Sequence, residues 1–323
     1  MTRWLVSPTE ALTTGAGRVS VGAAHIAELR EAADSARVWD SRFGGSGLKS
    51  RSLTAFLYER VTPLLRGRYA ADVGQQLFSV TAEMARLAGW TAFDAGRHHA
   101  AQRHYIQALR LAKAAGDTSL GSYVLTTMAM QSLMRGFTSQ AIDMAQGAYE
   151  RVPSADPRVR GFAKLIEARA HARDGDARSA SACLSRSEEL QQRGEDAGSG
   201  ITWIDFFTRQ RIITDAAEIF RDLGNPRATL AWHAMGGMPT DAFARSHAIR
   251  LSVLASAYAQ QGDLEHSLQL GRKSLRIFTR LQTVRGIDYI RIYTQSLEPW
   301  RRENSVVQYM GEVRAAAAEF RAA

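Results

Sequence analysis

The sequence predicts an all-α protein, a right-handed helical solenoid of about five helix pairs with capping helices at its N- and C-terminal ends. Three observations carry that prediction. Between Ala82 and Ala115, small residues recur three or four apart on two successive stretches hinged at Asp94-Ala95-Gly96. They are Ala85, Ala88, Gly89 and Ala92 on one, and Ala101, Ala108 and Ala112, with Tyr105 and Leu109, on the other. That spacing belongs to helices, and small residues let a neighbouring helix approach closely. A glycine followed five residues later by a small residue then recurs along the chain, as Gly96/Ala101, Gly136/Ala141, Gly175/Ala180, Gly224/Thr229 and Gly262/Ser267. A unit of this kind cannot bury its apolar face alone and needs stacked neighbours. Composition agrees: 45% hydrophobic and 23% charged residues are enough apolar mass for an extended core, and seven prolines leave room for long helices.

Small, small, break, small, aromatic, small is the tetratricopeptide pattern, with Gly89, Ala101, Tyr105 and Ala108 at its key positions. The glycine-to-glycine intervals are 40, 39, 49 and 38 residues, a period near 40 with one insertion. A pure tetratricopeptide array runs at about 34, so the turns between units must be longer here. The site that is Gly89 in the first unit is Ala129, Ala168, Ala217 and Ala255 in the others, always small, where the two helices of a unit should touch.

In chain order, residues 1–20 form an irregular lead in which only Trp4-Leu5-Val6 is apolar enough to dock on something. Residues 21–81 supply N-terminal capping helices. One runs from Val21 to Phe43 with Ile26, Leu29, Ala33, Ala36 and Val38 inward. A second runs from Leu48 to Leu65, its last turn kinked by Pro63, and a long helix follows from Tyr69. Residues 82–283 hold the five units, with a polar, glycine-bearing loop expected over QQRGEDAGSG, near 191–201. Residues 284–323 form a C-terminal helical pair broken by Glu298-Pro299-Trp300, its alanine-rich end acting as a cap.

The net charge of +9 invites a nucleic-acid partner, but the arginines are spread along the chain and no Lys/Arg-dense block stands out. The single cysteine, Cys183, excludes an internal disulfide and a cysteine-built metal cage, fits a reducing cytoplasm, and sits where a small core residue belongs. No apolar run approaches the roughly 20 residues a membrane span needs. Met1 to Ala11 lacks the pattern of a secretion signal.

The stretch LYERVTPLLRGRY, followed by MARLAGWTAFDAGRHHAAQRHYIQALRLAKAAGD, resembles the C-terminal tetratricopeptide region of actinobacterial helix-turn-helix transcriptional regulators of sporulation and antibiotic production. RWLVSP at the start and RFGG at Phe43 are similar to that family too, and the resemblance is strongest from Arg3 to Asp117. In the family a helix-turn-helix domain precedes the RWLVSP segment, whereas this chain starts Met1-Thr2-Arg3. The resemblance therefore implies the sensor half of such a regulator without its DNA-reading half, so direct nucleic-acid contact is not expected.

In such a solenoid the first helix of each pair lines the concave face. The register places Glu83, Arg86, Trp90 and Asp94 there in unit one, Tyr123, Thr126, Met130 and Met134 in unit two, Phe162, Arg169 and Arg173 in unit three, and Arg211, Thr214, Glu218 and Arg221 in unit four. Aromatic and methionine side chains beside arginines that could clamp a carboxylate or phosphate bidentately suit a short peptide, with apolar side chains in pockets and its terminus held by arginine. The competing expectation is that Arg169 and Arg221 form solvated ion pairs with Glu218 and Asp222.

Arg97-His98-His99 with His104 is the only histidine cluster, and it reads as a solvated turn because no carboxylate completes a zinc set. No phosphate loop, G-x-S-x-G elbow or H-E-x-x-H is present, and no cofactor is implied. Acid–base pairs such as Asp205 with His247, or Glu167 with His171 four apart on one helix face, arise too easily by chance to carry a catalytic assignment. The expected function is a cytoplasmic, non-catalytic sensor or interaction protein. Its concave groove would bind a peptide, a protein partner or a small metabolite and regulate secondary metabolism or development, with a homodimer compatible and no membrane partner. The alternative is a regulator-derived solenoid recruited as an enzyme in a biosynthetic pathway.

Overall fold

A computed structural model describes residues 17–43, 48–150, 152–198, 200–239, 243–281 and 284–322. The apolar Trp4-Leu5-Val6 stretch and Gly44-Gly45 lie outside the described residues. The fold is all-α. Apart from one isolated bridge between Ser20 and Arg68, no strand pairing occurs among the described residues. None of their helices is long and apolar enough to cross a membrane.

Helix α1 (Ala23–Phe43) is followed by α2 (Leu48–Phe56), a π-helical turn (Leu57–Val61) and α3 (Thr62–Leu65). The irregularity expected at Pro63 sits just before it. Proline cannot donate to the preceding turn and its ring crowds that carbonyl. The chain widens there instead, with both the backbone N–H and the hydroxyl of Thr62 bonding the Leu57 carbonyl.

Helical hairpins follow, each closed by a short turn: α4 (Ala71–Asp94) with α5 (His98–Ala114), α6 (Thr118–Met134) with α7 (Thr138–Glu150), and α8 (Pro157–Asp174) with α9 (Ala177–Ala197). Then come α10 (Arg209–Asp222) with α11 (Pro226–Gly236) and α12 (Ala244–Gln261) with α13 (Leu264–Leu281). The chain ends in α14 (Val284–Ser296) and α15 (Asn304–Ala322). The turn glycines Gly96, Gly136, Gly175, Gly224 and Gly262 all have φ between 67° and 86°, a region L side chains resist. In three turns the next residue, Asp176, Asn225 or Asp263, accepts a backbone N–H of the following helix as its N-cap. The small residues five places after the glycines, Ala101, Ala141, Ala180, Thr229 and Ser267, are all fully buried.

Within a hairpin the two helices nearly touch. A methyl group on Gly89 would lie 2.5 Å from Tyr105 Cε1, and Ala129, Ala168, Ala217 and Ala255 at the matching sites are fully buried. A buried hydroxyl tightens the same interface: Ser187 Oγ donates to the Gly161 carbonyl and Ser274 Oγ to the Ala248 carbonyl, each at 2.8 Å. In α6 and α7 the roles are exchanged at the equivalent positions, Ser122 Oγ donating to the Ala148 carbonyl at 2.7 Å.

The polar stretch expected as a loop near 191–201 is largely helix. Helix α9 runs on to Ala197 because Leu190, Gln191 and Gly194 are buried, Gly194 directly beneath the Arg158 side chain. The chain turns only at Gly198, where φ is 61°.

The helices α4, α6, α8, α10, α12 and α14 form the inner row, each packed on its neighbour, and the row curls until its ends meet: α1 contacts α12 and α14 contacts α4. Arg245 of α12 locks the closure, donating to Asp94 at 2.8 Å and to the Asp40 carbonyl at 3.3 Å.

Gly89→Ala should cost about 1–3 kcal/mol, because the added methyl forces Tyr105 or the helix axis to shift. Gly311→Ala in α15, where a methyl meets nothing within 4 Å, should gain about 0.5–1 kcal/mol. Urea unfolding followed by circular dichroism measures both, and equal effects would refute the close-contact account.

Candidate functional site

The curled inner row encloses a lumen whose two ends differ. Toward α8, α10 and α12 it is filled by charge. Arg169, 2% exposed, donates to Glu218 at 2.6 Å and lies 3.6 Å from Asp215. Arg173 donates to Asp222 at 3.1 Å. Arg221 lies 2.7 Å from the same carboxylate, and Arg211 donates to Asp215 at 3.1 Å. Tyr289 adds a hydroxyl to Glu218 at 3.3 Å. The pairs anticipated between these residues are present, but they are buried rather than solvated. Removal from water is costly, so such pairs persist only when partnered closely, and losing one partner leaves an uncompensated charge. Burial works against the ionised form of Asp222, yet Arg221 and Arg173 outweigh it and hold the carboxyl below the ordinary range.

At the other end the lumen opens into a cavity of about 560 Å³. Arg86, Trp90, Tyr123, Met130, Phe162 and Arg211 line it, as the helix register anticipates. Asp94 and Met134 do not face it: both are fully buried, and Asp94 serves the closure through Arg245. Arg169, Arg173, Glu218 and Arg221 belong to the charge network. The expected single groove is therefore divided into a filled half and an open half.

The cavity has walls that helix periodicity could not supply. Arg37 and Val38 come from α1, Arg245 and Ser246 from the far end of the row, and Trp203 and Phe206 from the segment after α9. That segment is pinned from below. Arg158 donates to Asp205 at 2.9 Å and to the Ile201 carbonyl at 3.1 Å, while Phe207 fills a notch over Gly161 that a methyl would close. Trp203 consequently stacks on Tyr123 with ring centres 5.0 Å apart and planes 9° apart, and Phe206 meets Phe162 edge-on at 5.2 Å. Arg37 completes the rim, donating to Thr202 at 3.2 Å while ion-paired to Glu83 and Asp34. Burial pushes the Glu83 carboxyl up, more than Arg37 and Arg86 draw it down. The one sequence signal for these walls is the apolar run Ile201-Thr-Trp-Ile-Asp-Phe-Phe207 directly after a polar stretch.

Neither acid–base candidate reaches the cavity as a pair. Asp205 binds Arg158, and His247 Nδ1 lies 3.1 Å from the Pro239 carbonyl. Glu167 and His171 are 3.8 Å apart, with Cys183 close by between α8 and α9. The cysteine thus sits in a potential ligand cluster that its solitary place in the sequence did not suggest. Glu167, however, is engaged by Lys164 at 2.7 Å and Gln146 at 3.1 Å, and burial together with Glu167 pushes the thiol up to about 12. His98 is half-buried rather than solvated. It leans on Phe93 at 5.9 Å, and burial, with Arg135, lowers its pKa. The chain matches no protein-family model and no curated protein.

Glu218→Ala should cost about 3–5 kcal/mol by stranding Arg169, whereas Glu28→Ala, which breaks the exposed pair with Arg60, should cost under about 1 kcal/mol. Urea midpoints give both values. Acid should act through Asp222. A carboxyl depressed in the folded state stabilises fully above its unfolded pKa of about 3.9, and the contribution drains as pH falls through the folded value. Between about pH 5 and pH 2 the urea midpoint should therefore fall more steeply in the wild type than in Asp222→Asn. Parallel curves would refute the assignment.

Proposed function

We propose that this protein is a tetratricopeptide-like right-handed solenoid acting as a non-catalytic sensor, its lumen cavity receiving a ligand whose arrival changes how the chain engages a partner. One observation carries the proposal. Six side chains that the helix register assigns to the concave face converge with residues from α1, α12 and the 201–207 segment around a cavity of about 560 Å³. That volume is the size of a small-molecule site, and its wall sets aromatic rings beside charged groups, Arg37, Asp40, Arg86, Asp205, Arg211 and Arg245, that can fix a ligand's orientation. The turn glycines and their buried small partners support the solenoid description. The resemblance of Arg3 to Asp117 to the sensor region of actinobacterial regulators supports a role in secondary metabolism or development. Cysteine usage supports a cytoplasmic setting. No observation favours the recruited-enzyme alternative: Asp205 lines the cavity but is held by Arg158, and His247, Glu167 and His171 do not line it.

Native mass spectrometry of the full chain, equilibrated with the dialysable fraction of a cell extract, tests this. A bound species of a few hundred daltons should appear at one per chain. Ser246→Trp, which places an indole in the cavity mouth, should abolish it with the circular dichroism spectrum unchanged. Undiminished retention by the variant would overturn the assignment of the site.

A further inference from the structure

The charge balance of the cavity narrows its ligand, given the proposal above that the cavity is a ligand site. Three of its four arginines are neutralised. Arg37 holds Glu83 and Asp34, Arg211 holds Asp215, and Arg245 holds Asp94. Arg86 differs. It is 4% exposed, no carboxylate oxygen lies within ion-pair distance of it among the described residues, and its Nε has no hydrogen-bond partner. Its guanidinium lies over the Tyr123 ring, 4.8 Å from the centroid. The neighbouring Glu83 is engaged by Arg37. A guanidinium so placed has a cation–π contact and the nearby charge of Glu83 but no oxyanion within hydrogen-bond range among the described residues, and a buried cation without an acceptor is costly.

Two carboxylates also line the wall, and both are taken, Asp40 by Arg245 and Asp205 by Arg158; the largest remaining side chains are aromatic. Trp203 stacks on Tyr123, Phe162 and Phe206 stand edge-on, and Trp90 borders the same space. An extended peptide lying along the inner row has no continuous path, because the Arg169–Glu218–Arg221 network fills the other half of the lumen and the Arg37–Thr202 hydrogen bond bridges the rim. We infer that the ligand is a compact aromatic organic anion, whose carboxylate, sulfonate or phosphate pairs with Arg86 and whose ring body lies among Trp90, Tyr123, Phe162, Trp203 and Phe206. Arg86 is the residue that selects charge, since a planar fork suits an oxyanion and the surrounding low dielectric strengthens the pair.

The test uses the full chain with two dyes of nearly the same shape, anilinonaphthalene sulfonate and its uncharged parent N-phenylnaphthylamine, titrated by fluorescence. The sulfonate should bind at one site per chain at least about tenfold more tightly than the neutral dye. Arg86→Gln should erase that preference, the sulfonate's affinity falling to within about twofold of the neutral dye's in the same variant. Because Arg86 makes no ion pair or hydrogen bond among the described residues that the substitution would break, the urea midpoint should fall by little. Arg86→Lys, which keeps the charge, should retain a preference for the sulfonate and serves as the reading if the glutamine variant is unstable. If both dyes bind equally, or Arg86→Gln leaves the preference intact, the anion inference falls and the cavity remains a ligand site. If neither dye binds at a single site, the ligand-site proposal falls with it. Tighter binding of an extended acidic peptide than of the sulfonate would overturn the compact-ligand argument.

Discussion

Close approach of paired helices is the constraint on which the rest of this structure depends. Gly89 and its counterparts Ala129, Ala168, Ala217 and Ala255 give each hairpin a crossing with no side chain to hold the axes apart. Buried serine hydroxyls then tie one helix to a backbone carbonyl of the other. Interaxial distance follows the side chains at the contact, so a row of small contacts brings helices to the near end of the usual range. The hairpins so tightened stack into the inner row, which curls until Arg245 of α12 meets Asp94 of α4. Larger residues at the crossings would separate the two helices of each hairpin and break the serine–carbonyl bonds between them.

A closed inner row has an electrostatic consequence. Polar side chains that would face water in an open groove are instead trapped opposite one another, and each charge must find a partner within the lumen. Arg169, Arg173, Arg211 and Arg221 do so with Asp215, Glu218 and Asp222, and in doing so they fill the space. Where aromatic rings replace carboxylates, around Tyr123 and Phe162, the space stays open and one guanidinium is left with a ring face in place of an oxyanion. The cavity and the charge network are two outcomes of the same crowding, separated by which residue types the inner helices present.

Much of this was legible in the sequence because it is local. Glycine turns, small positions and helix register depend on neighbours within one unit, and the same register put Arg86, Trp90, Tyr123, Met130, Phe162 and Arg211 on the inner face. What was not legible depends on residues far apart. Whether Arg169 meets solvent or Glu218, 49 residues away, follows from the curl of the row, which no single unit encodes. Arg37 and Arg245 reach the cavity only because the ends of the row meet. Polar residues after Gln191 read as a loop, yet α9 continues through them because Leu190, Gln191 and Gly194 face inward against α8. The length of α9 sets where the chain turns, and so where Trp203 falls.

The placement of Trp203 ties the cavity to the overall curl. Its segment is fixed to α8 by Arg158, touches α1 through Arg37 and stacks on α6 through Tyr123. A ligand among these rings would contact α1, α4, α6, α8 and the α9–α10 connection together, and α12 through Ser246. Its binding energy would thus depend on the relative positions of elements from both ends of the chain. A ligand shifts an equilibrium only by its differential affinity for the two states. An opened row loses Arg245–Asp94 and separates the walls, so it offers a ligand fewer contacts than the closed row does. Occupancy would favour closure by that difference.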